Sequence, residues 1–200
     1  DPQMTVGIII QARTGSKRFP NKVLTPLAGK PVVQRVIEGC KIGEKIVLAV
    51  PYDDVGKFTT FGVRVFYGPE DDVLSRYFQA AKHYRFDKII RITADCPLIR
   101  PDLIEKTYKL SLDCSYAAID WPRGGFPKGF GVEVFTLIAL ELANAFAKDQ
   151  YDREHVTPWM QANLRCKYLE NDKDESHLNY CVDVPEDIGR LEQIIGKSEA

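Results

Sequence analysis

Apolar and polar positions change their rhythm along this chain, and the rhythm predicts most of the elements. Val6–Ile10 is apolar without a break, as expected of a strand buried on both faces. Val32–Cys40 then reads as a helix. Lys45–Val50 and Val63–Tyr67 read as strands. In Asp72–Tyr84, residues Val73, Leu74, Tyr77, Phe78 and Ala81 fall on one helical face. Lys88–Thr93 is a fourth strand. Pro101–Leu110 is a helix with proline in its first turn. Ser115–Ile119 and Val132–Phe135 are strands, and Leu137–Ala147 and Thr157–Asn163 are helices. Tyr180–Val182 reads as a last short strand and Pro185–Ile195 as a closing helix, with Glu186 and Asp187 at its electropositive end.

Strands alternating with helices predict an α/β fold: a mainly parallel sheet with helices on both faces. The stretch Asp120–Gly131, with four glycines and two prolines, interrupts the rhythm and is a loop. There are no repeats and no linker, so residues 1–200 are read as one domain. Asp1-Pro2-Gln3 ahead of Met4 is taken for a cloning remnant. In open α/β sheets ligands collect at the carboxyl ends of the strands, so the segments after each strand matter most.

Composition narrows the class. The chain has 200 residues, 44 % of them apolar, and a domain of that size buries roughly 70 % of its unfolded surface without staples. No apolar run nears the roughly 20 residues that span a bilayer, and the amino terminus carries no secretion pattern. A cytoplasmic protein with no membrane partner is expected. The five cysteines are scattered, with no C-x-x-C pair, and read as reduced core thiols. A net charge of −1 disfavours a dedicated nucleic-acid binder.

Against that neutral balance, the segment from Arg13 to Lys30 holds five basic residues and no acidic one. Gly15 allows close backbone approach. Arg13 and Arg18 offer forked donors, and Lys22 offers a point charge for phosphate oxygens. Neither G-x-x-x-x-G-K-[ST] nor G-x-G-x-x-G is present, so no P-loop or dinucleotide fingerprint supports the site. Taken alone, the segment is equally a solvated basic loop. Asp95 follows KIIRIT and Asp183 follows YCV, each where a strand should end. Two such carboxylates facing a basic loop suit Mg2+, which takes one or two carboxylates plus phosphates and water. Either aspartate alone would more often be a turn or cap residue.

The stretch GIIIQARTGSKRFPNKVL resembles the amino-terminal signature of the cytidylyltransferases that make CMP-activated sugar acids. The likeness is greatest to the spore coat polysaccharide biosynthesis protein F branch. Ala12, Arg13, Gly15, Ser16, Arg18, Pro20 and Lys22 match that signature; Asn21 stands where glycine is usual. Four further segments resemble the branch in order: Gly68–Tyr77, Arg91–Ile99, Arg153–Thr157 and Val182–Asp187. The resemblance implies a Rossmann-like nucleotide-diphospho-sugar transferase fold of glycosyltransferase-A type. It also implies CTP as donor, Mg2+, pyrophosphate release and often a homodimer.

On this reading Lys22, Arg13, Asp95 and Asp183 carry catalysis, with Asp95 and Asp183 holding the metal. Gln11, Ala12, Arg13, Gly15, Ser16, Arg18, Lys22 and Arg76 bind nucleotide. Backbone groups near Gln11 and Ala12 read the base, and Arg76 either contacts base or ribose or faces solvent. Arg123 or Lys128 would hold an acceptor carboxylate, Glu133 sugar hydroxyls, and His155 would orient the acceptor or act as a base. His83 and His177 read as surface residues, and Trp121 and Trp159 as packing residues. Two rivals share the fold. A glycosyltransferase with a nucleotide-sugar donor would want a D-x-D metal motif after a strand. A nucleotide-binding module without turnover would not need Lys22, Asp95 and Asp183.

Overall fold

The computed structural model describes residues 3–200; Asp1 and Pro2 lie outside it. The described residues form nine strands: β1 Val6–Gln11, β2 Pro26–Leu27, β3 Lys30–Pro31, β4 Lys45–Pro51, β5 Arg64–Gly68, β6 Lys88–Thr93, β7 Tyr116–Ile119, β8 Val132–Thr136 and β9 Cys166–Tyr168. The helices are α1 Val32–Gly39, α2 Val73–Tyr84, α3 Pro101–Leu110, α4 Leu137–Phe146, α5 Gln150–His155, α6 Pro158–Asn163 and α7 Glu186–Glu199. Seven strands make one sheet in the order β5-β4-β1-β6-β8-β7-β9, and β2 and β3 form a separate small hairpin. Within the seven-stranded sheet β8 runs against its neighbours β6 and β7, and the other pairs are parallel. This is the mainly parallel sheet that the alternation predicts.

The unbroken apolar strands supply both faces. Ile8 and Ile10 pack with α1 and α3 residues Val33, Val36, Leu103 and Ile104. Ile9 packs on the other face with Leu74 and Tyr77 of α2 and Leu140 of α4. Gly7 is glycine because an added Cβ would lie 2.2 Å from the Phe86 ring.

One expected strand needs correction, and β2, β3, β9 and α5 were not foreseen. Tyr180–Val182 is not a strand: the stretch has one isolated bridge, Lys128 with Asn179, and a bond from Val182 N–H to the Asp95 carbonyl at 2.9 Å. It lies alongside the sheet rather than in it, because its neighbours are loops. Two of the backbone groups expected to read a base are already paired within the sheet edge. The Gln11 carbonyl accepts from Ala94 N–H at 3.0 Å, and Ala12 N–H donates to Ala49 at 3.2 Å. The short edge strand β9 extends the sheet beside β7, and helix α5 packs against α2 and α6.

Candidate active site

A cavity of about 260 Å3 opens at the carboxyl ends of β1 and β6, lined among others by Gln11, Ala12, Arg13, Lys22, Arg76, Asp95 and His155. The loop after β1 forms its basic wall. Its turn is closed by Asn21 N–H to the Thr14 carbonyl at 3.0 Å. Asn21 sits in the left-handed region at φ 58°, the conformation that asparagine tolerates and glycine would adopt freely. Gly15 is not left-handed; an added Cβ would stand 3.2 Å from Glu70 Oε1. Buried Thr14 anchors the loop, as its N–H and hydroxyl both donate to Asp54.

Lys22 opens a single 3-10 turn, Lys22–Leu24, and reaches into the cavity. Its ammonium stands 3.7 Å from Asp95 Oδ2 and 3.9 Å from Asp183 Oδ1. The two aspartates, 88 positions apart, therefore meet around one cation. Asp95 is held by the Thr93 hydroxyl at 2.8 Å. The bond from Val182 N–H to the Asp95 carbonyl brings Asp183 alongside. Asp187, which sequence reasoning passed over as a helix-start residue, accepts the N–H groups of Asp183 and Val184 at 2.8 and 2.9 Å. Burial raises the Asp187 carboxyl, but those two N–H groups and Arg190 outweigh it and hold the group below the usual range. Lys128 adds a second cation, 3.5 Å from Asp183 Oδ2.

Arg13 lines the cavity and, among the described residues, has no acidic partner within ion-pair distance; nor has Arg18. Gly15, Ser16 and Arg18 belong to the same loop but do not line this cavity. Arg76 is buried, with its guanidinium on the carbonyls of Pro69 and Glu70 at 2.8 to 2.9 Å. It neither faces solvent nor has its fork free for a base: it clamps the loop after β5. Gly68 leaves room for it, since a Cβ there would meet Arg76 Cγ at 2.6 Å.

A second cavity of about 250 Å3 adjoins the first and shares Arg91, Thr93 and His155 with it. Asp120, Trp121, Gly131, Glu133, Tyr151 and Thr157 also line it. Glu133 does not offer its oxygens to a sugar. Arg91, the Tyr116 hydroxyl and the Thr157 hydroxyl all donate to it. Arg91 in turn donates to Gln11 Oε1 at 2.8 Å, so one buried network runs through the wall between the cavities. The sequence could have flagged Arg91 as a charge inside an apolar strand. His155 lies at the shared wall, its ring centroid 4.4 Å from that of Tyr151. The next residue, Val156, sits at φ 70° in a tight γ-turn closed by Thr157 N–H to the His155 carbonyl at 2.8 Å. Arg123 lines neither cavity and lies over the Tyr168 ring at 4.0 Å. Trp121 is not a packing residue: it is 44 % exposed and walls the second cavity. Trp159 does pack, stacked on Phe146.

This is the site of a nucleotidyltransferase: a basic loop and two carboxylates at the strand ends of a mainly parallel sheet, with a second cavity beside them. The cytidylyltransferase family model matches residues 7–197, and the chain belongs to that family. An uncharacterized protein of Methanocaldococcus jannaschii is 39 % identical over 173 residues, covering 81 % of this chain and 70 % of its own. The spore coat polysaccharide biosynthesis protein SpsF of Bacillus subtilis is 33 % identical over 180 residues, covering 81 % and 73 %. A solved cytidylyltransferase from Leptospira borgpetersenii superposes with a TM-score of 0.87 at 28 % identity, over 98 % of this chain and 96 % of that one. Among the described residues, no helix is long and apolar enough to cross a membrane.

Proposed function

We propose that the chain moves CMP from CTP to a hydroxyl of a sugar or sugar acid, with Mg2+ and with release of pyrophosphate, in the making of a surface polysaccharide. The carrying observation is the gathering of Asp95, Asp183 and Lys22 within one cavity beside the basic loop. Family membership and the likeness to SpsF support cytidine and a polysaccharide route.

Arg13 and Lys22 bind the triphosphate, whose negative charge the loop's excess of cations matches. Among the described residues, no three His, Cys, Asp or Glu side chains form a complete metal cage. The two carboxylates of Asp95 and Asp183 would hold Mg2+, which prefers hard oxygen donors and is completed by phosphate and water. When bound, the ion neutralises charge on the phosphate oxygens. The acceptor lies in the second cavity, with its reacting hydroxyl at the shared wall, where His155 orients it or takes its proton. No covalent intermediate is needed, because transfer of this kind depends mostly on positioning and charge.

A glycosyltransferase reading finds no D-x-D motif at Asp95-Cys96-Pro97. Pyrophosphate release, measured with each of four nucleoside triphosphates against a panel of sugar acids and amino sugars, tests the proposal. CTP should rank first. Preference for ATP or GTP by ten-fold, about 1.4 kcal/mol, would end the cytidine assignment.

A further inference from the structure

The sheet register lays out the floor of the second cavity. Arg91 of β6 stands opposite Glu133 of β8, and Glu133 stands opposite Ala118 of β7. Carrying the same register two residues toward the cavity puts Thr93, Gly131 and Asp120 in one transverse row. Side chains two apart share a face. All three residues line the cavity, so the row is its floor. Strands lie about 4.8 Å apart, which sets Asp120 about 10 Å across from Thr93.

The middle of this row is empty. Gly131 has no left-handed φ that would call for glycine, and a Cβ added there meets only the Ile119 carbonyl, at 3.9 Å. Neither backbone geometry nor packing accounts for glycine at this position; the space above it does. At one end, Thr93 is tied to Asp95 and the nucleotide cavity. At the other end stands Asp120, whose carboxylate has no hydrogen-bond donor among the described residues. Burial and the charge of Glu133 push its carboxyl up, against the pull of Arg123. The cavity's one arginine is already occupied by Glu133 and Gln11. Trp121 and Tyr151 add aromatic walls, which suit the C–H face of a sugar ring.

We propose that Gly131 is the seat of the acceptor and that Asp120 reads its far end, accepting hydrogen bonds from a hydroxyl or ammonium group there. This rests on the cytidylyltransferase reading. It sets the orientation and class of the acceptor: any carboxylate sits beside the reacting hydroxyl, and the remote end carries donors. A uronic acid, whose carboxylate is remote from its anomeric hydroxyl, would meet Asp120 and be repelled.

The test measures pyrophosphate release from CTP with 3-deoxy-manno-octulosonate, glucosamine and glucuronate, with CTP affinity and melting temperature followed in parallel. The wild type should discriminate against glucuronate by at least ten-fold in kcat/KM. Gly131→Val should keep CTP affinity within two-fold and the same melting temperature, and raise the KM of the best acceptor at least ten-fold. Gly131→Ala should do the same more mildly. Asp120→Asn should shrink the discrimination against glucuronate. Unchanged acceptor KM in Gly131→Val, or equal discrimination in Asp120→Asn, would overturn this proposal and leave the function standing. No pyrophosphate release from CTP with any member of the wider panel of sugar acids and amino sugars would overturn the function itself, and the seat with it.

Discussion

Thr14 donates both its backbone N–H, at 2.9 Å, and its hydroxyl, at 2.5 Å, to the carboxylate of Asp54. The basic loop after β1 is thereby pinned to the segment after β4. Burial raises the Asp54 carboxyl, but Thr14 and Lys57 outweigh it and leave the group below its ordinary value. A carboxyl depressed on folding stabilises above its unfolded pKa of about 3.9, and that contribution is lost as pH falls through the folded value. Asp54→Asn should therefore cost about 1–2 kcal/mol near pH 7. Its melting curve should converge on that of the wild type below pH 4. A gap of equal size at pH 7 and pH 3 would show that Asp54 does not act through its charge.

Lys22→Ala removes the cation shared by Asp95 and Asp183. A loss of at least ten-fold in kcat/KM for CTP is expected, about 1.4 kcal/mol of transition-state stabilisation. Unchanged kinetics in a folded variant would return the loop to ordinary solvated surface.

Arg76 spans two carbonyls with one planar fork, which lysine cannot reproduce. Arg76→Lys should lower stability by about 1–3 kcal/mol, a fall of roughly 2–12 °C in melting temperature for a chain of this size. Calorimetry with and without CTP separates the roles. Weakened nucleotide binding at an unaltered melting temperature would make Arg76 a direct ligand instead.

Glu133 compensates a buried arginine. Glu133→Ala should destabilise the free protein by about 3–5 kcal/mol, since Arg91 is left without a counter-charge. Glu133→Gln should be milder, keeping the shape and part of the bonding. Full stability of the alanine variant, with loss confined to acceptor KM, would restore Glu133 as a sugar ligand.

The sheet was legible because β1, β4 and β6 are apolar enough to be buried on both faces, and the helices because their apolar positions recur at helical spacing. Helix α5 (QYDREH) has no apolar face to read, and β9 (CKY) is a three-residue edge strand with little burial. The site divides in the same way. Lys22, Asp95 and Asp183 declared themselves by charge and by position after apolar runs. Arg76 and Glu133 looked like ligands because a sequence does not reveal which charged groups are already paired. Thr93, Gly131 and Asp120 form a row only through the register of an antiparallel strand, which local patterns do not specify.

Asp95 and Asp183 are expected to serve one metal ion at the nucleotide. The most direct test is the Mg2+ dependence of pyrophosphate release from CTP in the wild type, Asp95→Asn and Asp183→Asn, with CTP affinity measured alongside. Either asparagine keeps the side-chain shape and removes one charge, so the basic loop should still hold CTP. Turnover should fall by about 100-fold or more, the usual scale for losing a preorganised electrostatic contact, with saturation moved to higher Mg2+. Turnover and Mg2+ dependence like the wild type's in both variants would mean that the two aspartates hold no catalytic metal.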